Sequence, residues 1–196
     1  GQTIPADRMA LLWNKQPTSI QDWLPAYAVH GEGIFVGVAM DRLATWSAIP
    51  QVQNRARRLQ SRYDDLLEQR PLAPKEISPQ FVLLHTLSHI LMNRLIFECG
   101  YSSAALRERI YVARGTRPMA GMLIYTAAGD SEGTMGGLVR MGKPGHFDQV
   151  LYNAVQDARW CSADPVCMEL GEPGQGPDSL NMAACHNCVL VPETAC

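Results

Sequence analysis

The sequence predicts a mixed α/β domain, an α+β core that ends in a cysteine-rich, metal-stapled tail. Three observations carry that prediction. Short β-branched apolar runs are separated by longer segments of helix formers, the order expected of a mixed fold. Apolar residues fill 46% of the 196 positions and charged residues 18%, enough for one real core and incompatible with wholesale disorder. From residue 161 the composition turns to Cys, Pro and Gly. The chain therefore divides into a core over 1–160, of which 1–78 carry no anchoring motif, and a tail over 161–196.

Taken in order, residues 1–26 are rich in Pro, Trp and polar side chains and read as irregular. "GIFVGVAM" (33–40) reads as a buried strand, and Asp41 as the cap of a short helix running through Ile49. Pro50, at a suitable first helical position, opens a helix over 50–70. Val52, Leu59, Leu66 and Leu67 recur there at roughly helical spacing with many charges between them, so this helix should be partly exposed. "RPLAPKEISP" (70–79) is a loop. "FVLLHTLSHILMNRLIF" (81–97) carries two His, an Asn and an Arg, which are expensive in lipid, and the run is short for a bilayer. It reads as a buried core helix over 79–99 that ends at Gly100, a left-handed cap. A short helix over about 103–109 should lead into a strand at "RIYVAR". A strand over 121–128, a Gly-rich turn over 129–138 and a helix over about 146–159 follow.

No signal peptide or membrane span is legible, and six cysteines without a secretion signal fit a reducing, cytoplasmic setting. A chain that starts at Gly1 and stops at a cysteine reads as a fragment of a longer protein. Formal charge is −2 with pI near 6.2, so any surface suited to nucleic acid must be local.

The cysteines are the strongest signal. Cys161 and Cys167 bracket "CSADPVC", Cys185 and Cys188 form a C-x2-C about seventeen residues later, and Cys196 follows. A C-x2-C knuckle supplies two soft ligands from one turn and a second pair elsewhere completes a zinc tetrahedron. Structural zinc is the leading reading; disulfides, a redox pair and unconnected buried thiols are the alternatives. Cys99, at the end of the apolar helix, is most simply a small buried hydrophobe.

A polar stripe runs along the core helix, where His85, His89 and Asn93 share one face with Ser88 beside them. A zinc protease would read H-E-x-x-H, but position 86 is Thr, so the general base is missing. A hydrogen-bonded seam in the core is the leading reading, ahead of a face turned to a ligand or partner, and of metal binding. In "YTAAGDSEGTMGGL", the segment holding Gly129, Ser131, Gly133 and Thr134 is neither a Walker A loop nor a dinucleotide fingerprint. Its backbone amides could cradle a phosphate, although a tight glycine turn explains it as well. Arg55, Arg58 and Arg62 lie on one helical face and could meet phosphates, with Arg107 and Arg114 further along; a solvated helix surface is the commoner explanation.

Together, "LLHTLSHILMNRL", "CGYSSAALRERIYV", "LIYTAAGDSEGTMGGL", "CSADPVC" and "AACHNCVLVPETAC" resemble, over 79–196, the C-terminal domain of the DrmB family, the helicase-associated subunit of the DISARM anti-phage system. The same domain family closes MrfA-type DNA helicases. The resemblance implies a four-cysteine Zn2+ site on Cys161, Cys167, Cys185 and Cys188, with Cys196 outside it as a substitute ligand. The first pair is spaced more widely here than in the helicases. The resemblance further implies a non-catalytic, bacterial module that engages DNA with a separate, DrmA-like helicase subunit and binds no nucleotide itself. Two other functions remain open: a pure protein–protein scaffold, and a hydrolase built on His85 and His89 with a second metal.

Overall fold

A computed structural model describes residues 30–126 and 136–192. The first expected strand forms as β1 (Gly33–Gly37), followed by α1 (Met40–Ser47) and α2 (Pro50–Gln69). Asp41 lies inside the first turn of α1; Ala39 holds the cap position and offers no side-chain bond, so Asp41 acts only as a negative charge near the positive end of the helix. Pro50 opens α2, whose buried residues are Ala56, Leu59 and Leu66.

The apolar helix is α3 (Pro79–Cys99). The Ser78 hydroxyl accepts from the Phe81 amide at 3.2 Å, Pro79 sits in the first turn, and Gly100 ends the helix at φ 73° with its amide on the Ile96 carbonyl at 2.9 Å. Both ends are thus specified locally.

The helix expected over 103–109 is not formed. β2 (Leu106–Ala113) begins there and pairs along its whole length with β3 (Met119–Thr126). "AALRER" has good helix propensity, but eight paired positions and complete burial of Leu106 outweigh it. The sheet is fully antiparallel in the order β1-β3-β2, with Ile34 opposite Ile124 and Ile110 opposite Met122. Period-two alternation puts Ala120, Met122, Ile124 and Thr126 on the buried face of β3.

Beyond the sheet come α4 (Gly137–Met141), α5 (Phe147–Asp157), α6 (Val166–Glu169) and a 3-10 turn at Pro177–Ser179. The sequence anticipated α5 but neither α4 nor α6. α3 packs against β2 and β3 and also against α5, so its Leu91, Met92 and Leu95 meet Leu106, Met122, Ile124, Leu138, Val150 and Ala154 in one core. Val191, from beyond the cysteines, joins that core. A smaller cluster of Leu43, Leu84 and Ala120 lies under α1. Among the described residues no helix is long and apolar enough to cross a membrane.

Candidate metal centre

Two short loops, joined to the core by α5 and by Val191, bring four cysteines together. In the first, both carboxylate oxygens of Asp164 are used: Oδ2 accepts from the Cys161 amide and Oδ1 from the Met168 amide, each at 3.2 Å. The loop therefore closes on itself and carries Cys161 and Cys167 into the interior. In the second, the Cys188 and Val189 amides donate to the Cys185 carbonyl at 3.1 and 3.0 Å, while the Cys185 amide donates to Cys188 Sγ at 3.3 Å.

The sulfurs stand 3.5 Å apart for Cys161–Cys185, 3.8 Å for Cys185–Cys188 and 4.0 Å for Cys167–Cys188, and all four lie within 4.8 Å of one another. Zn–S bonds of about 2.3 Å at tetrahedral angles put sulfurs about 3.8 Å apart, so the quartet has the size of a zinc tetrahedron. The spacing is far from the ~2.05 Å of a disulfide, and the five described cysteines are free thiols.

Electrostatics point the same way. Burial pushes the Cys188 thiol up to about 12 and also raises Cys167, although Gln175 Nε2 donates to Cys167 Sγ at 3.3 Å. Burial raises Cys185 too, but the Asn187 amide and the neighbouring thiols outweigh it and leave that thiol below its ordinary value. Four thiolates this close repel one another, so the deprotonated set needs a cation at its centre. The Ala163 amide, 3.4 Å from Cys161 Sγ, adds a donor that would share the thiolate charge.

The family described as "MrfA Zn-binding domain" matches residues 87–189, more than half of the chain. The chain belongs to the MrfA Zn-binding domain family. The matched stretch of the MrfA Zn-binding domain contains Cys161, Cys167, Cys185 and Cys188 and stops short of Cys196, which lies outside the described residues. Zn2+ is the cofactor of this domain. The chain is also 38% identical over 178 residues to the DISARM protein DrmB of Bacillus paralicheniformis, covering 90% of this chain and 31% of that protein. It thus spans about a third of the relative's length.

The other sequence-derived candidates fall in several places. Arg58 and Arg62 turn onto the tail of the MrfA Zn-binding domain: Arg58 pairs with Glu172 at 2.7 Å, and Arg62 donates to the Ser179 and Glu172 carbonyls at 2.6 Å each. Arg70 adds a two-pronged bond to Asp178, both contacts at 3.0 Å. Arg55 is exposed and lines a cavity beside α3. Arg107 and Arg114 sit at opposite ends of β2; the first donates to the Ala104 and Leu106 carbonyls, and the second meets Glu76 and Gln80. Gly129, Ser131, Gly133 and Thr134 lie outside the described residues. Cys99 is a half-buried thiol packed against the core, raised by burial and by the charge of Glu32.

The histidine stripe divides. His85 and His89 face Glu108 of β2, with Nε2 to Oε1 distances of 3.0 and 3.6 Å. Asn93 instead lines a separate hollow with Phe97, Trp160 and Cys188. Burial pushes the Glu108 carboxyl up, but hydrogen bonds and charge from the two histidines win and hold it at about 2. Sequence reasoning missed Glu108 because it placed that residue in a helix. Read as a strand, Leu106-x-Glu108-x-Ile110 puts a carboxylate on the buried face, which is the signal that was available.

Proposed function

We propose that this chain is the zinc-stabilised, non-catalytic module of a DISARM-type defence complex, and that it engages DNA together with a separate helicase subunit in the cytoplasm. The convergence of Cys161, Cys167, Cys185 and Cys188 within 4.8 Å carries this reading, and the similarity to the DISARM protein DrmB gives it its setting. These four cysteines are the proposed zinc ligands, and Cys196 is a spare. A zinc ion with four thiolates has no open position for water, so its role is to hold the tail rather than to activate a nucleophile. Arg58, Arg62 and Arg70 then fix the tail against α2, giving one rigid surface. DNA contacts would fall on backbone phosphates, through Arg55 and the glycine-rich segment of Gly129, Ser131, Gly133 and Thr134.

The test is an anisotropy titration of duplex and single-stranded DNA against the chain alone and with its helicase partner, at 50 to 200 mM salt. Binding through several phosphates should weaken steeply over that range. Salt-independent binding would contradict phosphate contact. A specific observation favours the scaffold reading: Phe97 and Trp160 line one hollow and are 77% and 71% exposed, too apolar for an idle surface. On that reading neither the chain nor the complex gains DNA affinity from the chain, and Phe97→Ser with Trp160→Ser abolishes helicase association.

A further inference from the structure

We propose that His85, His89 and Glu108 form a second metal site, separate from the cysteine cluster, for a divalent transition-metal ion that prefers nitrogen and oxygen donors. Two elements build it. On α3 the four-residue spacing stacks the two rings edge to face with centroids 4.4 Å apart, so both Nε2 atoms reach one point. On β2 the inward position of Glu108 brings its carboxylate beneath them, and one ligand atom from each side chain, a ring nitrogen from each histidine and a carboxylate oxygen from Glu108, lies within 4.8 Å of the others.

The dimensions suit a metal. With bonds of about 2.1 Å, neighbouring ligand atoms lie about 3.0 Å apart in an octahedron and about 3.4 Å in a tetrahedron. The two nitrogen–oxygen separations are 3.0 and 3.6 Å. Two imidazoles and one carboxylate form a donor set of the kind that binds first-row metals while leaving positions for other ligands.

Room for those ligands is present. His85 and His89 line a cavity of about 440 Å³ between α2, α3 and the tail, with Arg55, Lys75 and Leu180–Ala184 among its walls. His85 is 34% exposed, whereas His89 and Glu108 are 8% and 5%, so the cluster is reached from the cavity side and sealed behind. One carboxylate leaves a divalent ion with a net positive charge. With Arg55 and Lys75 in the same walls, the ligand class that fits is water or an anionic oxygen group.

A carboxylate held between two imidazoles by hydrogen bonds alone would give similar distances, but the two arrangements respond differently to added metal. The experiment strips the purified, untagged chain, reloads it with Zn2+ or Co2+, and counts metal by elemental analysis. Wild type should hold two equivalents. Cys185→Ser should keep one without a thiolate-to-cobalt charge-transfer band, whereas His85→Ala with Glu108→Gln should keep one with that band, which also reports that the fold survives. One equivalent in wild type, or two in the His85/Glu108 variant, overturns the proposal. Should that variant fail to fold, His85→Gln alone must weaken the second equivalent at least tenfold and leave the first unchanged; unchanged affinity for both overturns the proposal equally.

Discussion

Glu32 collects three donors on one buried carboxylate: the Tyr101 hydroxyl and the Gly136 and Val139 amides, the latter two at 3.0 Å each. Burial pushes its carboxyl up, but Tyr101 and the amides of Val139, Leu138 and Gly136 outweigh it, so the group titrates below its ordinary 4.5. Tyr101 is the mirror case, raised from 10.0 to about 12 by burial and by the charge of Glu32. A depressed carboxyl contributes stability that is present above its unfolded value and lost as pH falls through the folded one; a raised phenol contributes below 10 and loses it as pH rises towards 12. Chemical denaturation across pH should therefore give a plateau from about 5 to 10. Relative to wild type, Glu32→Gln should flatten the acid limb and Tyr101→Phe the alkaline one; unchanged limbs would count against the pairing. The cysteines make a second prediction at this scale. Replacing any one of Cys161, Cys167, Cys185 or Cys188 by Ser should remove thiolate-bound zinc, while Cys99→Ser and Cys196→Ser retain it, as counted by elemental analysis. The convergence of those four was legible in the sequence because paired cysteines at this spacing are the pattern of a zinc site, a signal carried by the chain itself. Glu32 was not, since a single carboxylate before a strand carries no local sign of amides 104 and 107 positions away.

Among the elements, α2 joins the tail to the rest of the molecule. Its Arg62 gives two bonds of 2.6 Å to backbone carbonyls of the tail, and those acceptors would lose their partner on truncation. Arg62→Ala should destabilise by about 1–2 kcal/mol, discounted for partial exposure, and speed zinc release to a chelator. A chelation rate equal to wild type would mean that the clamp does not hold the tail. In the core, Leu91→Ala on α3 removes a fully buried side chain and should cost about 2–5 kcal/mol in denaturant melts. Sequence periodicity found α2 and α3 because their signals are local: Pro50 marks the start of the first and Gly100 the end of the second whatever the tertiary context, and the structure adds Ser78 as the cap of α3. It put a helix where β2 begins because strand pairing with β3 is a non-local reward that "AALRER" does not display. For the same reason the shared face of Arg58 and Arg62 was visible but its purpose was not; the Glu172 side chain that meets Arg58 lies 114 positions later.

At the scale of the whole molecule, order is unevenly founded. The sheet, α3 and α5 bury Leu91, Met92, Leu95, Leu106, Met122 and Ile124 almost completely and hold together through apolar contact. The segment from Cys161 to Pro192 contains a four-residue helix, a three-residue 3-10 turn and no strand. Helices that short do not stand alone in water. On the proposed zinc site, its order rests on the metal as well as on the arginines of α2 and on Val189 and Val191 packed against the core. Stripping zinc removes the first of these and restores repulsion or protonation at four crowded thiols, while the core keeps all its own contacts. Limited proteolysis after chelation should therefore cut first within 161–192. The far-UV helical signal should fall only slightly, because most helical residues are in α2 and α3. Restoring zinc before digestion should restore resistance. Equal cutting in α3 or the sheet, or a collapse of the helical signal, would show instead that the metal supports the whole fold rather than its tail.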